Sequence, residues 1–191
     1  MVIAPVEPNS YLYACSDVFP AAILEQIVAT DWATLPYQRL SIGFGRRRQI
    51  LDHAVPGNAD VREFVQQQLR THLQTQCQIQ FENQTFCNIQ WWLDEPGFKP
   101  QIHSDGDLPS AVQIYLLPTA DTDLGTTFFR NRTKTDVLHR FSSLVNTGYI
   151  MFNSHSVNGV RPVLWHDMEQ SVPPTVHRVC CYITLGSYCR I

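Results

Sequence analysis

From about Ile79 onward the chain is written in short strand-forming runs with no helical stretch between them. The runs TFCNIQWWL, SAVQIYLL, GTTFFRN, TDVLHRF, GYIMFN, GVRPVLW and TVHRVCCYITL are rich in β-branched and aromatic residues. Pro, Gly, Asn and Asp separate them. Parallel strands need crossovers of about a dozen residues or more, usually helical. None is visible here, so the pattern predicts an antiparallel sandwich or barrel. The first third reads differently. Pro20 to Trp32 carries Ile23, Leu24, Ile27 and Val28 at helical spacing. Asn58 to Gln76 is the clearest helix, with Val61, Phe64, Val65, Leu69 and Leu73 on one side. Asp60 and Glu63 stand at capping-box spacing near its start, and glutamines solvate its outer face. Arg39 to Asp52 reads as a hairpin around Gly43 and Gly45. No repeat or linker appears. The expectation is one domain over 1–191, with helical support in 1–78 packed on one face of a β-core in 79–191.

Composition narrows the function classes. With 44% apolar residues in 191, a substantial core is available. Charged residues make up 16%, below the roughly 25% of typical domains. The net charge of −3 has the wrong sign for a general nucleic-acid binder. No apolar run nears the roughly 18 residues that would span a bilayer. The opening MVIAPVEPNS has neither a basic leader nor an apolar h-region, so the expectation is a soluble cytoplasmic protein. In that compartment Cys15, Cys77, Cys87, Cys180, Cys181 and Cys189 read as reduced, mostly buried thiols. The run Arg46-Arg47-Arg48 reads as a solvated strand edge or loop, with contact to an anionic group as the alternative.

The chemistry concentrates in PGFKPQIHSD, Pro96 to Asp105. His103 and Asp105 are two positions apart, so in an extended chain both project to the same side. An imidazole and a carboxylate so placed can share a metal ion. A second imidazole from another strand would complete a two-His, one-carboxylate facial triad with open positions opposite. GYIMFNSHSVNGV follows, an apolar strand leading into His155. Arg178 then opens RVCCYITL, 23 residues beyond His155. A buried arginine needs an anionic partner, and a carboxylate fits its planar fork best.

These elements, in this order over Phe86 to Tyr188, resemble the Fe(II)- and 2-oxoglutarate-dependent dioxygenases of the prolyl-4-hydroxylase-like branch. The resemblance implies a double-stranded β-helix, a cupin-like jelly roll buttressed by the N-terminal helices. It implies Fe(II) held by His103, Asp105 and His155, and 2-oxoglutarate anchored by Arg178 and Tyr115, the latter from QIYLL. DLGTTFF resembles the family's GGxTxF strand start, with Leu124 replacing the first glycine. The family sets its arginine about ten residues after the distal histidine, so VLWHDMEQSVPPTV reads as an inserted loop, and Arg161 is the rival anchor. The implied reaction consumes 2-oxoglutarate and dioxygen, releases succinate and CO2, and hydroxylates an unidentified peptide or small molecule. Asp105 favours hydroxylation over halogenation, since related halogenases lack this carboxylate.

Two other classes stay open: a jelly-roll binding protein without turnover, and a zinc hydrolase at the same triad. His53, His72, His139, His166 and His177 read as surface or locally bonded histidines. His166 is followed at once by Asp167, and adjacent strand residues point apart. Of Trp91 and Trp92, alternation lets one face the interior of the barrel. Arg130 and Arg132 are weaker candidates for substrate contact.

Overall fold

Strand pairing organises the molecule, as seen in a computed structural model. It describes residues 1–8, 10–35, 38–39, 47–51, 58–81, 88–106, 108–117, 123–153, 163–186 and 188–190, without side-chain detail at 38, 39, 58 and 188–190. In chain order the strands are β1 (Val2–Pro5), β2 (Leu12–Ser16), β3 (Gln38–Arg39), β4 (Arg48–Leu51), β5 (Ile79–Phe81), β6 (Asn88–Asp94) and β7 (Ser110–Tyr115). They continue as β8 (Thr126–Phe129), β9 (Val137–Phe141), β10 (Thr147–Phe152), β11 (Trp165–Asp167), β12 (Arg178–Leu185) and β13 (Tyr188–Arg190). Among the described residues they form an eight-stranded sheet, β1-β2-β10-β7-β12-β6-β4-β3, a three-stranded sheet, β11-β8-β9, and the pair β13-β5. Every pairing is antiparallel. The protein is mainly β, as the run of short strands predicts.

Period-two alternation divides the large sheet into two faces. One carries Ile89, Trp91, Leu93, Val112, Ile114, Ile150, Val179, Cys181 and Ile183 into the main hydrophobic cluster. Helical residues Ile27, Val61, Phe64, Val65, Leu69 and Leu73 lie in that same cluster. The other face presents Gln113, Tyr115, Tyr149, Cys180 and Tyr182 toward the cavity side. Trp91 is fully buried on the first face and Trp92 half-buried on the second, as alternation requires.

The helices are α1 (Ala21–Val28), α2 (Asn58–Phe64) and α3 (Arg70–Cys77), and a π-helical turn, Val65–Leu69, joins the last two. That wider turn keeps Val65 and Leu69 buried while Gln66, Gln67 and Gln68 face solvent. Asp60 does not cap, because it is already the third residue of α2, and Glu63 instead accepts from Gln67 Nε2. The first third is also less helical than its periodicity suggests: β1 and β2 extend the large sheet through β10. The candidate hairpin over 39–52 falls mostly outside the described residues. No helix among the described residues is long and apolar enough to cross a membrane.

Two glycines permit the close approach of strands. A Cβ on Gly125 would lie 1.5 Å from the Phe141 carbonyl oxygen, and one on Gly148 1.8 Å from that of Gln113.

Candidate metal centre

A backbone bridge sets the site. His103 and His166 form an isolated antiparallel pair, His103 N–H donating to His166 O at 3.1 Å and His166 N–H to His103 O at 2.8 Å. Directly opposed residues of such a pair project to the same side. Their ring centroids lie 4.3 Å apart. Asp105, two residues on, joins them as strand alternation predicts. Its Oδ1 is 3.7 Å from His103 Nε2 and its Oδ2 is 3.8 Å from His166 Nε2. One ligand atom from each of the three lies within 4.8 Å of the others.

Each imidazole is oriented from behind. His103 Nδ1 lies 2.8 Å from the Gln101 carbonyl, and His166 Nδ1 lies 3.1 Å from that of Leu164. A carbonyl only accepts, so both Nδ1 atoms carry protons, and both Nε2 atoms are the ring nitrogens turned toward Asp105. Tyr182 Oη donates to Asp105 Oδ2 at 3.0 Å. His166 is buried and stacks on Phe128, its cross-strand partner, at 4.9 Å. Burial lowers its pKa, with Asp105 opposing and His103 assisting. The neutral imidazole, the form a metal needs, is therefore favoured. Burial, reinforced by Asp105, holds the Tyr182 phenol well above its usual range.

His155 and Arg161 lie outside the described residues. The imidazole that meets His103 and Asp105 is that of His166, set aside in the sequence as a locally bonded histidine. Its carboxylate comes from a different strand, and the neighbouring Asp167 pairs instead with Lys134. One sequence signal pointed to it: His166 precedes Arg178 by 12 residues, near the family spacing.

A cavity of about 480 Å3 opens beside the triad. Its floor is the second face of the large sheet, with Arg48 and Ile50 from β4, Asn88, Gln90 and Trp92 from β6, and Arg178, Tyr182 and Thr184 from β12. Arg178 is buried and lines it. Its partner, however, is supplied by the protein: Arg178 Nη1 donates to Asp94 Oδ2 at 2.6 Å. Burial works against its charge, but Cys180, Asp94 and Tyr115 around it raise its pKa further. Its Nε finds no hydrogen-bond partner among the described residues. Tyr115 is buried beside Arg178, whose guanidinium carbon is 5.2 Å from its ring centroid. The Tyr115 hydroxyl donates to Thr126 Oγ1 at 2.8 Å, and Thr126 lines the cavity.

The arginine run is not a solvated edge throughout. Arg47 is exposed, but Arg48 is buried and binds Asp94 through both carboxylate oxygens, at 2.6 and 2.9 Å. Arg130 lies away from the cavity, paired with Glu7 and Asp136, and Arg132 stacks over Trp165.

No protein-family model and no curated protein matches the sequence. Solved structures do resemble the fold. A prolyl-4-hydroxylase from Pseudomonas putida superposes with a TM-score of 0.59 at 16% identity, covering 94% of this chain and 92% of that one. The collagen prolyl hydroxylase of Paramecium Bursaria Chlorella virus-1, in complex with 2OG, gives 0.60 at 14%, covering 96% and 98%. A 2OG-Fe(II) oxygenase family protein from Burkholderia pseudomallei gives 0.60 at 14%, covering 94% and 84%. The chain thus has the jelly-roll fold of the 2OG-Fe(II) oxygenases and prolyl hydroxylases.

Proposed function

We propose that this protein is an Fe(II)- and 2-oxoglutarate-dependent dioxygenase that hydroxylates a peptide or small molecule. The carrying observation is the convergence of His103, Asp105 and His166 at a cavity that also holds a buried arginine. His103, Asp105 and His166 would hold the metal, and Arg178, with Tyr115 and Thr126 beside it, would hold the distal carboxylate of 2-oxoglutarate. Bound there, the metal and 2-oxoglutarate supply oxidative decarboxylation to succinate and CO2, coupled to hydroxylation of a substrate C–H bond by dioxygen.

The donor set fits Fe(II), since two imidazoles and one carboxylate on one side are a facial triad with open positions. The residues prepare it. Gln101 and Leu164 carbonyls fix the ring orientations, and Tyr182 fixes Asp105. Phe128 screens His166 from water. We read residues 1–191 as one domain in which α1, α2 and α3 stiffen the sheet that carries Arg178.

Succinate release from 2-oxoglutarate, dependent on Fe(II) and oxygen, tests the activity. Turnover of a substrate without oxygen, with zinc as the metal, would instead favour a hydrolase. Alanine variants test the ligand set. His103→Ala and His166→Ala are expected to lose Fe(II) binding by calorimetry, and His155→Ala to keep it. The reverse result for the last two restores His155 as the ligand.

A further inference from the structure

Asp94 is flanked in register by two arginines. On β6 it sits directly opposite Arg48 of β4 on one side and Arg178 of β12 on the other. All three are buried: Asp94 is fully inaccessible, Arg178 is 2% exposed and Arg48 is 6% exposed. Two guanidinium groups and one carboxylate leave the row with one net positive charge, and both arginines line the cavity.

The sharing is unequal. Arg48 grips both oxygens of Asp94, Nε to Oδ1 and Nη2 to Oδ2, in the bidentate geometry that guanidinium and carboxylate prefer. Arg178 makes one bond to Asp94, Nη1 to Oδ2, its Nη1 also reaches Met168 Sδ at 3.3 Å, and its Nε is without a hydrogen-bond partner among the described residues. Arg48 is itself clamped, its guanidinium carbon 4.0 Å from the Trp92 centroid and 4.4 Å from that of Phe98. Asp94 is therefore drawn toward a fixed Arg48, and Arg178 keeps donor capacity for a second carboxylate.

We propose that Asp94 is a built-in rival of the cosubstrate for Arg178, and that Arg48 sets cosubstrate affinity by holding this rival back. This rests on the reading of Arg178 as the 2-oxoglutarate anchor. Arg48 is then a positioning residue: it acts on the cosubstrate through Asp94. Without Arg48, Asp94 would settle wholly on Arg178, and the row would become neutral. Without Asp94, two uncompensated cations would face the cavity and draw an anion more strongly.

The test is a double-mutant cycle read by calorimetric binding of 2-oxoglutarate to the Mn(II)-loaded protein under argon. Arg48→Gln is expected to weaken binding about tenfold or more, and Asp94→Asn to tighten it by about the same factor. The double variant, with Arg178 facing two neutral amides, should recover wild-type affinity or better. Mn(II) affinity should stay constant throughout. A structural role for the row predicts the opposite order, with every variant weaker and the double weakest, and that order overturns the proposal. If Asp94→Asn does not fold, Arg48→Lys decides. It keeps the charge and should bind near wild type while Arg48→Gln does not, and equal loss in both overturns the proposal. Wild-type protein that binds Mn(II) but no 2-oxoglutarate overturns the anchor reading and this one with it. Wild-type binding with a flat cycle overturns this one alone.

Discussion

His166 shows how one side chain can belong to a site that its own sequence neighbourhood conceals. Its local cue was the adjacent Asp167, which alternation turns away and which pairs with Lys134. The carboxylate it meets belongs to residue 105, brought over by the bridge to His103. His103 and Asp105 were legible because two-residue spacing in extended chain is a local rule. A bridge spanning 63 residues of chain is not local. The same limit hid Arg48, whose partner Asp94 lies 46 residues away in sequence but next door in the sheet. Burial gives His166 a pH signature. Its folded pKa is lowered from 6.5, so below that pH the unfolded chain binds the proton more readily than the native one. Stability then falls as pH drops through about 6.5. Melting of metal-free protein from pH 7.5 to 5.5 is expected to show this decline, and His166→Gln should flatten it. An unchanged slope in the variant would refute the assignment.

The strands β6 to β10 and β12 were readable as elements, because short β-branched and aromatic runs between Pro, Gly and Asn allow little else, whereas β11 lies in the stretch read as an inserted loop and β13 was not read at all. Their partners were not readable, since β2 meets β10 and β4 meets β6 across long stretches of chain. Nor did the run YLYACS announce β2, whose identity depends on the edge that β10 offers it. Once paired, the sheet imposes demands that the sequence had already met. Gly148 sits opposite Ile114 in the pairing of β10 with β7. Any side chain there would collide with the Gln113 carbonyl, which is backbone and has no rotamer to yield. Gly148→Ala is expected to cost about 2–3 kcal/mol or more by denaturant titration. It should also disturb Gln113, which accepts a hydrogen bond from Tyr149 Oη at 3.0 Å on the cavity side. A cost under about 0.5 kcal/mol, typical of an uninvolved surface position, would contradict that packing.

For the whole molecule, the mainly β architecture followed from the absence of crossover helices. The arrangement of two faces, one packed against helical residues and one hollow, required the registers. This division decides where thiols sit. Cys15, Cys77 and Cys181 lie in the packed cluster, and Cys180 faces the cavity side. Burial pushes Cys15 up to about 12 and Cys180 up to about 11, so little thiolate is available at neutral pH. Thiol titration at pH 8 is therefore expected to leave these four unreacted until denaturant is added. Rapid labelling of any of them, located by peptide mass spectrometry, would contradict the burial. The reciprocal amide bonds between residues 103 and 166 carry a wider meaning. They hold two jaws of the metal grip together with peptide groups alone, so the grip is set before any ion arrives. Chelation should then strip the ion and leave the far-ultraviolet spectrum as it was, an empty vice with its jaws still aligned.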